Sequence, residues 1–172
     1  MIEQRISPDG NTCVTIFDRN IFSDSFIREA ATAILVNREA LGETRITYGN
    51  STYQGLFWAP DSKKYVLSLK YDDGGTYLVL AWLERNSESN LHAYLSLGVS
   101  MNELAEYGFV YDENSFRLLE IDYQFLQWSL DSSSMLIYYS FTDVSDEFHS
   151  GYFWYNCETG QVSALFELDA SE

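Results

Sequence analysis

Two histidines, two cysteines and several neighbouring carboxylates are the side chains of this 172-residue chain with the types to hold a metal or move a proton. Carboxylate pairs occur at Asp72-Asp73 and Asp112-Glu113, and an acidic run passes from Asp143 through Asp146 and Glu147 to His149. Sugar hydrolysis needs two carboxylates facing each other across a cleft. Adjacent strand residues point to opposite sides, so neither pair makes that geometry by itself, and both read as turn residues. The oxygens of residues 143–149 would suit calcium, but their spacing matches no binding loop, and a solvated acidic loop is the reading. His92 follows a polar loop, residues 85–90, and reads as a surface residue. Cys13 and Cys157 lie far apart with no CxxC or metal spacing. Reduced, packed thiols are expected, with a bridge between them left open. GxSxG, HExxH, P-loop and dinucleotide patterns are absent, and the residues after Asp9 do not fit a sialidase-type Asp box. No catalytic residue, no metal site and no cofactor is expected.

A different set of aspartates recurs in a fixed setting. Ile6-Ser7-Pro8-Asp9-Gly10-Asn11 precedes a strand-like stretch from Thr12 to Phe17. Phe57-Trp58-Ala59-Pro60-Asp61-Ser62 precedes Lys64 to Tyr71, and Gln127-Trp128-Ser129-Leu130-Asp131-Ser132 precedes Ser134 to Phe141. The chemistry of Asp9, Asp61 and Asp131 is that of a tight hairpin. Proline presets φ at the second turn position, and Asp followed by Gly or Ser suits the remainder. The carboxylate accepts backbone N–H groups inside the turn. The preceding Ile or Trp should end one strand facing the core.

Strands must position these turns. Val, Ile, Thr and abundant aromatics (13 Tyr, 11 Phe, 4 Trp) favour them. Tyr65 to Tyr71 alternates, and an Asp-Asp-Gly-Gly turn at 72–75 leads into the apolar run from Thr76 to Leu83. Such a run is expected of a strand covered on both faces. Ala31 to Asn37, Thr44 to Tyr48, Gly151 to Asn156 and Gln161 to Phe166 supply the later strands. Ser100-Met101-Asn102-Glu103 has the form of a capping box, with Gly108 as a stop, so a short helix is expected near 101–107. The chain reads as a single domain, 1–172, of three units at 1–50, 51–99 and 109–172, with the helical insert at 100–108.

The net charge of −16 repels phosphate backbones and anionic membrane surfaces, and favours a basic protein partner. The start MIEQRISPDG lacks the form of a signal peptide, and no apolar stretch reaches the ~20 residues of a spanning helix. A cytoplasmic protein is expected on these grounds.

The three turns resemble the WSPDG turn of TolB-like and WD40-like propeller repeats, also called PD40 repeats. Trp58-Ala59-Pro60-Asp61-Ser62 is the best match; the first turn has Ile6 in place of Trp, and the third has Leu130 in place of Pro. Tyr152 to Tyr155 followed by a Glu-Thr-Gly turn is similar to the end of such a blade. The resemblance implies antiparallel, four-stranded, blade-like sheets, and a structural rather than catalytic role for the three aspartates. The turns stand 52 and 70 residues apart, wider than the ~40–45 of a regular blade, and three blades fall short of the ~4–8 of a closed propeller. The expectation is an all-β protein forming a partial propeller, one completed by an oligomer through open sheet edges, or a sandwich. Its expected role is a non-enzymatic interaction module. A small acidic inhibitor of a basic partner and a carboxylate-based hydrolase acting on sugars are the alternatives.

Overall fold

A computed structural model of the chain describes residues 3–22, 28–38, 42–71, 75–83, 92–97, 121–142 and 146–167. The helix expected near 101–107, the pair Asp112-Glu113, the pair Asp72-Asp73 and the loop at 85–90 lie outside these residues.

The described chain is all-β and antiparallel. β1 (Glu3–Ile6), β2 (Thr12–Phe22), β3 (Arg28–Arg38) and β4 (Gly42–Gly49) form the first sheet in chain order. β5 (Ser51–Trp58), β6 (Lys64–Tyr71), β7 (Thr76–Trp82) and β8 (His92–Leu97) form the second. β9 (Asp122–Trp128), β10 (Ser134–Thr142), β11 (Phe148–Asn156) and β12 (Val162–Glu167) form the third. Each sheet is a four-stranded meander, and none closes into a barrel.

The sheets stack face to face, with two cores between them. Val14 and Ile16 of β2 and Ile34 and Val36 of β3 pack on Tyr65, Leu67 and Leu69 of β6 and Val79 and Ala81 of β7. On the other side of the second sheet, Val66, Leu78 and Leu80 pack on Tyr123, Met135, Ile137, Tyr139, Phe153 and Tyr155 of the third. The alternation of side chains along a strand produces this division. Odd-numbered residues of β6 face the first sheet and Val66 faces the third. The second sheet is therefore the middle layer, and its run from Tyr65 to Leu69 is buried throughout. That is the environment a continuous apolar strand requires.

The backbone also crosses between layers. Asn50, at φ 51°, turns the chain from β4 into β5. There the Ser51 hydroxyl donates to the Tyr48 carbonyl at 3.0 Å, and the fully buried Thr32 hydroxyl of β3 donates to the Ser51 carbonyl at 3.2 Å.

One expectation about side-chain placement fails. Ile6 does not face a core; it is 64% exposed. Trp58 packs back against the first sheet and Trp128 against the second. Ile6 holds the same place in the first sheet, which has no sheet behind it among the described residues. Both thiols are free, Cys13 half-buried and Cys157 buried. They sit in the two outer sheets, with the middle sheet between them.

Candidate functional site

The three aspartate turns have one backbone frame. Ser7, Ala59 and Ser129 open them. Each donates its N–H to the carbonyl five residues on, at Thr12 (2.8 Å), Lys64 (2.9 Å) and Ser134 (2.9 Å). Each also accepts the N–H three residues on, from Gly10 (2.9 Å), Ser62 (3.0 Å) and Ser132 (3.0 Å). Those last residues all adopt left-handed backbone, at φ 79°, 59° and 61°. Glycine enters this region without steric cost, and the two serines are held there by the turn.

Asp9, Asp61 and Asp131 fill the same corner. The Oδ1 of each accepts the backbone N–H two residues on, from Asn11 (3.1 Å), Lys63 (2.9 Å) and Ser133 (3.0 Å). The flanking groups differ. Ser7 and Ser129 donate their hydroxyls to Asp9 and Asp131 at 2.6 Å, whereas Ala59 has no hydroxyl to offer Asp61. Lys64, 6% exposed, instead places its Nζ 3.0 Å from Asp61 Oδ2. The Ser129 hydroxyl and then the Ser133 N–H hold the Asp131 carboxyl down at about 2. Asp9 is lowered in the same way by the Ser7 hydroxyl and the Asn11 N–H. All six oxygens of these carboxylates face donors inside their own turns, an arrangement suited to holding a corner rather than to proton transfer.

The corners are also linked to one another. The Asp9 N–H donates to Ser62 Oγ at 3.0 Å, and the Asp61 N–H donates to Ser132 Oγ at 3.1 Å. One hydrogen bond is thus made twice, each time from the aspartate of one sheet to the serine of the next. Reading the turns singly assigns Ser62 and Ser132 only a turn role. Their hydroxyls become visible as connectors when the three turns are superposed by position.

A groove of about 520 Å³ is lined by residues of the second and third sheets, from β5, β6, β7, β9 and β10. Its chemistry comes from Gln54, Phe57, Lys70, Asp122, Gln124 and Ser140. Phe57 is 37% exposed and stacks on Phe125, ring centroids 4.6 Å apart. Gly55 makes that pose available: a Cβ there would stand 2.8 Å from the Phe57 ring. The strand is also irregular at this point, with a register shift between Tyr53 and Gly55. The Asp122 carboxylate accepts the Thr76 N–H at 2.9 Å, tying the third sheet to the start of β7. Among the described residues, Lys70 and Asp122 are the two charged ones of the lining.

Comparison with known protein families, curated proteins and solved structures finds no match.

No single strand pattern marks the groove. Phe57 and Phe125 come from strands 68 positions apart in sequence, and only the stacking of two sheets joins them. The other candidate residues fall elsewhere. His149 stacks on Phe141 at 5.0 Å. Among the described residues, no three His, Cys, Asp or Glu side chains gather in a metal-holding group.

Proposed function

We propose that the chain is a non-enzymatic interaction module of the propeller-repeat type, which takes a segment of a partner protein into the groove between its second and third sheets. The observation that carries this reading is the lining. An exposed, stacked phenylalanine stands among amides and hydroxyls, with one cation and one carboxylate. Its volume lies within the ~300–1,000 Å³ of small-ligand clefts. An exposed aromatic anchor among adaptable hydrogen-bonding groups has the composition of an interface hot spot. A carboxylate-based hydrolase is the weaker reading, because among the described residues Asp122 is the one carboxylate lining this groove.

The test is capture from the native host with wild-type protein and with Phe57→Ser and Lys70→Glu. A partner retained by the wild type and lost from both variants supports the groove. Equal capture by all three proteins contradicts it.

The charge of −16 supports a second reading, an acidic inhibitor of a basic protein. Binding of that kind weakens steeply as salt is raised, whereas binding in a groove with one charge of each sign changes little.

A further inference from the structure

The chain makes one kind of interface twice and carries both halves of a third. Counting from the corner aspartates, the residues four, six and eight positions on point backward, toward the preceding sheet. In the second sheet these are Tyr65, Leu67 and Leu69, all 0% exposed; in the third they are Met135, Ile137 and Tyr139, at 0%, 0% and 1%. In the first sheet they are Cys13, Thr15 and Phe17. Cys13 and Phe17 remain half-exposed and Thr15 is 8% exposed, beside Ile6 at 64%. The residue five positions on points forward. Val14 and Val66 are fully buried by the next sheet, while Leu136 is half-exposed. Around Leu136 stand Tyr138, Tyr152 and Trp154, also half-exposed, with the Tyr138 and Tyr152 rings 5.4 Å apart. Both outer faces thus keep apolar residues at positions that correspond to the buried faces, although the first sheet mixes them with Gln4, Thr15, Asn37 and Arg45. Inside the molecule, forward faces meet backward faces.

We propose that a second copy of this chain covers these faces: the forward face of the third sheet seats on the backward face of the first sheet of the partner copy, and two chains close head to tail. The occupant follows from complementarity, since the two faces that no described sheet covers correspond to the two sides of the interface already formed twice within one chain. A head-to-tail contact is heterologous and ends only when it closes on itself. Two copies bring six sheets, within the ~4–8 that close around an axis. This contact uses sheet faces rather than the open strand edges considered from the sequence.

The new interface lacks one feature of the internal ones. Asp131 has no following sheet among the described residues, and the residue it would meet in the partner is Gly10, where the internal interfaces have Ser62 and Ser132. No hydroxyl is there to accept the Asp131 N–H. The contact is therefore weaker than its internal counterparts and reversible. Because each copy carries −16, added salt favours it.

Sedimentation velocity over a concentration series, at low and at moderate salt, tests the proposal. The mass should rise from 19.8 kDa to twice that value, more readily at the higher salt. Ile6→Asp alone and Leu136→Asp alone should each remain monomeric, while an equimolar mixture of the two associates, since one undamaged interface is then available. Ile6 is exposed, so its substitution leaves the fold in place, which a circular dichroism spectrum checks. Gly10→Ser restores the missing hydroxyl at a site where a Cβ meets nothing within 4 Å. It should associate about 2- to 10-fold more tightly than Gly10→Ala, which imposes the same backbone strain without the hydroxyl. A wild-type protein that stays monomeric at every concentration and salt overturns the proposal. So does a pair of variants that associate as the wild type does, or a mixture that fails to associate when the wild type does.

Discussion

The interface between the first and second sheets and the one between the second and third share a frame and differ in filling. Both are joined by a corner aspartate N–H donating to a serine hydroxyl. The first sheet contributes the aliphatic Val14, Ile16, Ile34 and Val36. The third contributes a run of aromatics, in which the Phe153 ring lies 6.4 Å from Tyr123 and 6.0 Å from Tyr139. The tryptophans differ too. Trp128 donates its indole N–H to the Phe57 carbonyl at 3.4 Å, whereas the Trp58 indole N–H has no acceptor among the described residues. Polar turn groups thus fix how neighbouring sheets meet, and side chains of quite different shape then fill the space between them.

The largest expected break in this comparison is between the fillings. Phe153→Ala should cost about 3–5 kcal/mol, and Ile34→Val only about 0.5–1.5 kcal/mol, by chemical denaturation. A loss from Phe153→Ala as small as that from Ile34→Val would mean that the Phe153 ring is not packed into the core as described.

The frame should respond evenly. Ser62→Ala and Ser132→Ala each remove one connector, and each should cost about 1 kcal/mol. A loss at one site alone would show that the two corners are not equivalent.

The smallest effect concerns acid. The Asp131 carboxyl lies at about 2 in the folded protein, below its ordinary 3.8. Its contribution to stability is therefore present above about pH 4 and is lost as the pH falls toward 2. Asp131→Asn should flatten the stability curve in that window, matching the wild type near pH 2 and falling below it near neutrality. Asp9, lowered in the same direction, should behave alike.

Much of this frame is legible in the sequence, because turn chemistry is local. Asp followed by Gly or Ser specifies the hairpin with no reference to the rest of the chain. The apolar run of β7 likewise announces a strand covered on both sides. What neighbouring sheets do to one another is not local. Nothing within residues 1–12 says that Ile6 is left outside, since its exposure depends on which sheet stands behind it. The same is true of Ser62 and Ser132, whose partners lie 53 and 71 residues away, and of the groove built on Phe57 and Phe125. Equivalence between the three turns, once recognised, recovers the serines, but not the groove.

Hydrogen exchange of three backbone amides, followed residue by residue by NMR, tests the equivalence of the corners most directly. The amides of Asp9 and Asp61 should exchange slowly and that of Asp131 faster, under conditions that keep the protein monomeric. Ser62→Ala should release Asp9 alone, and Ser132→Ala Asp61 alone. Equal exchange at all three positions, or an Asp9 amide indifferent to the loss of the Ser62 hydroxyl, would contradict the linkage between successive sheets.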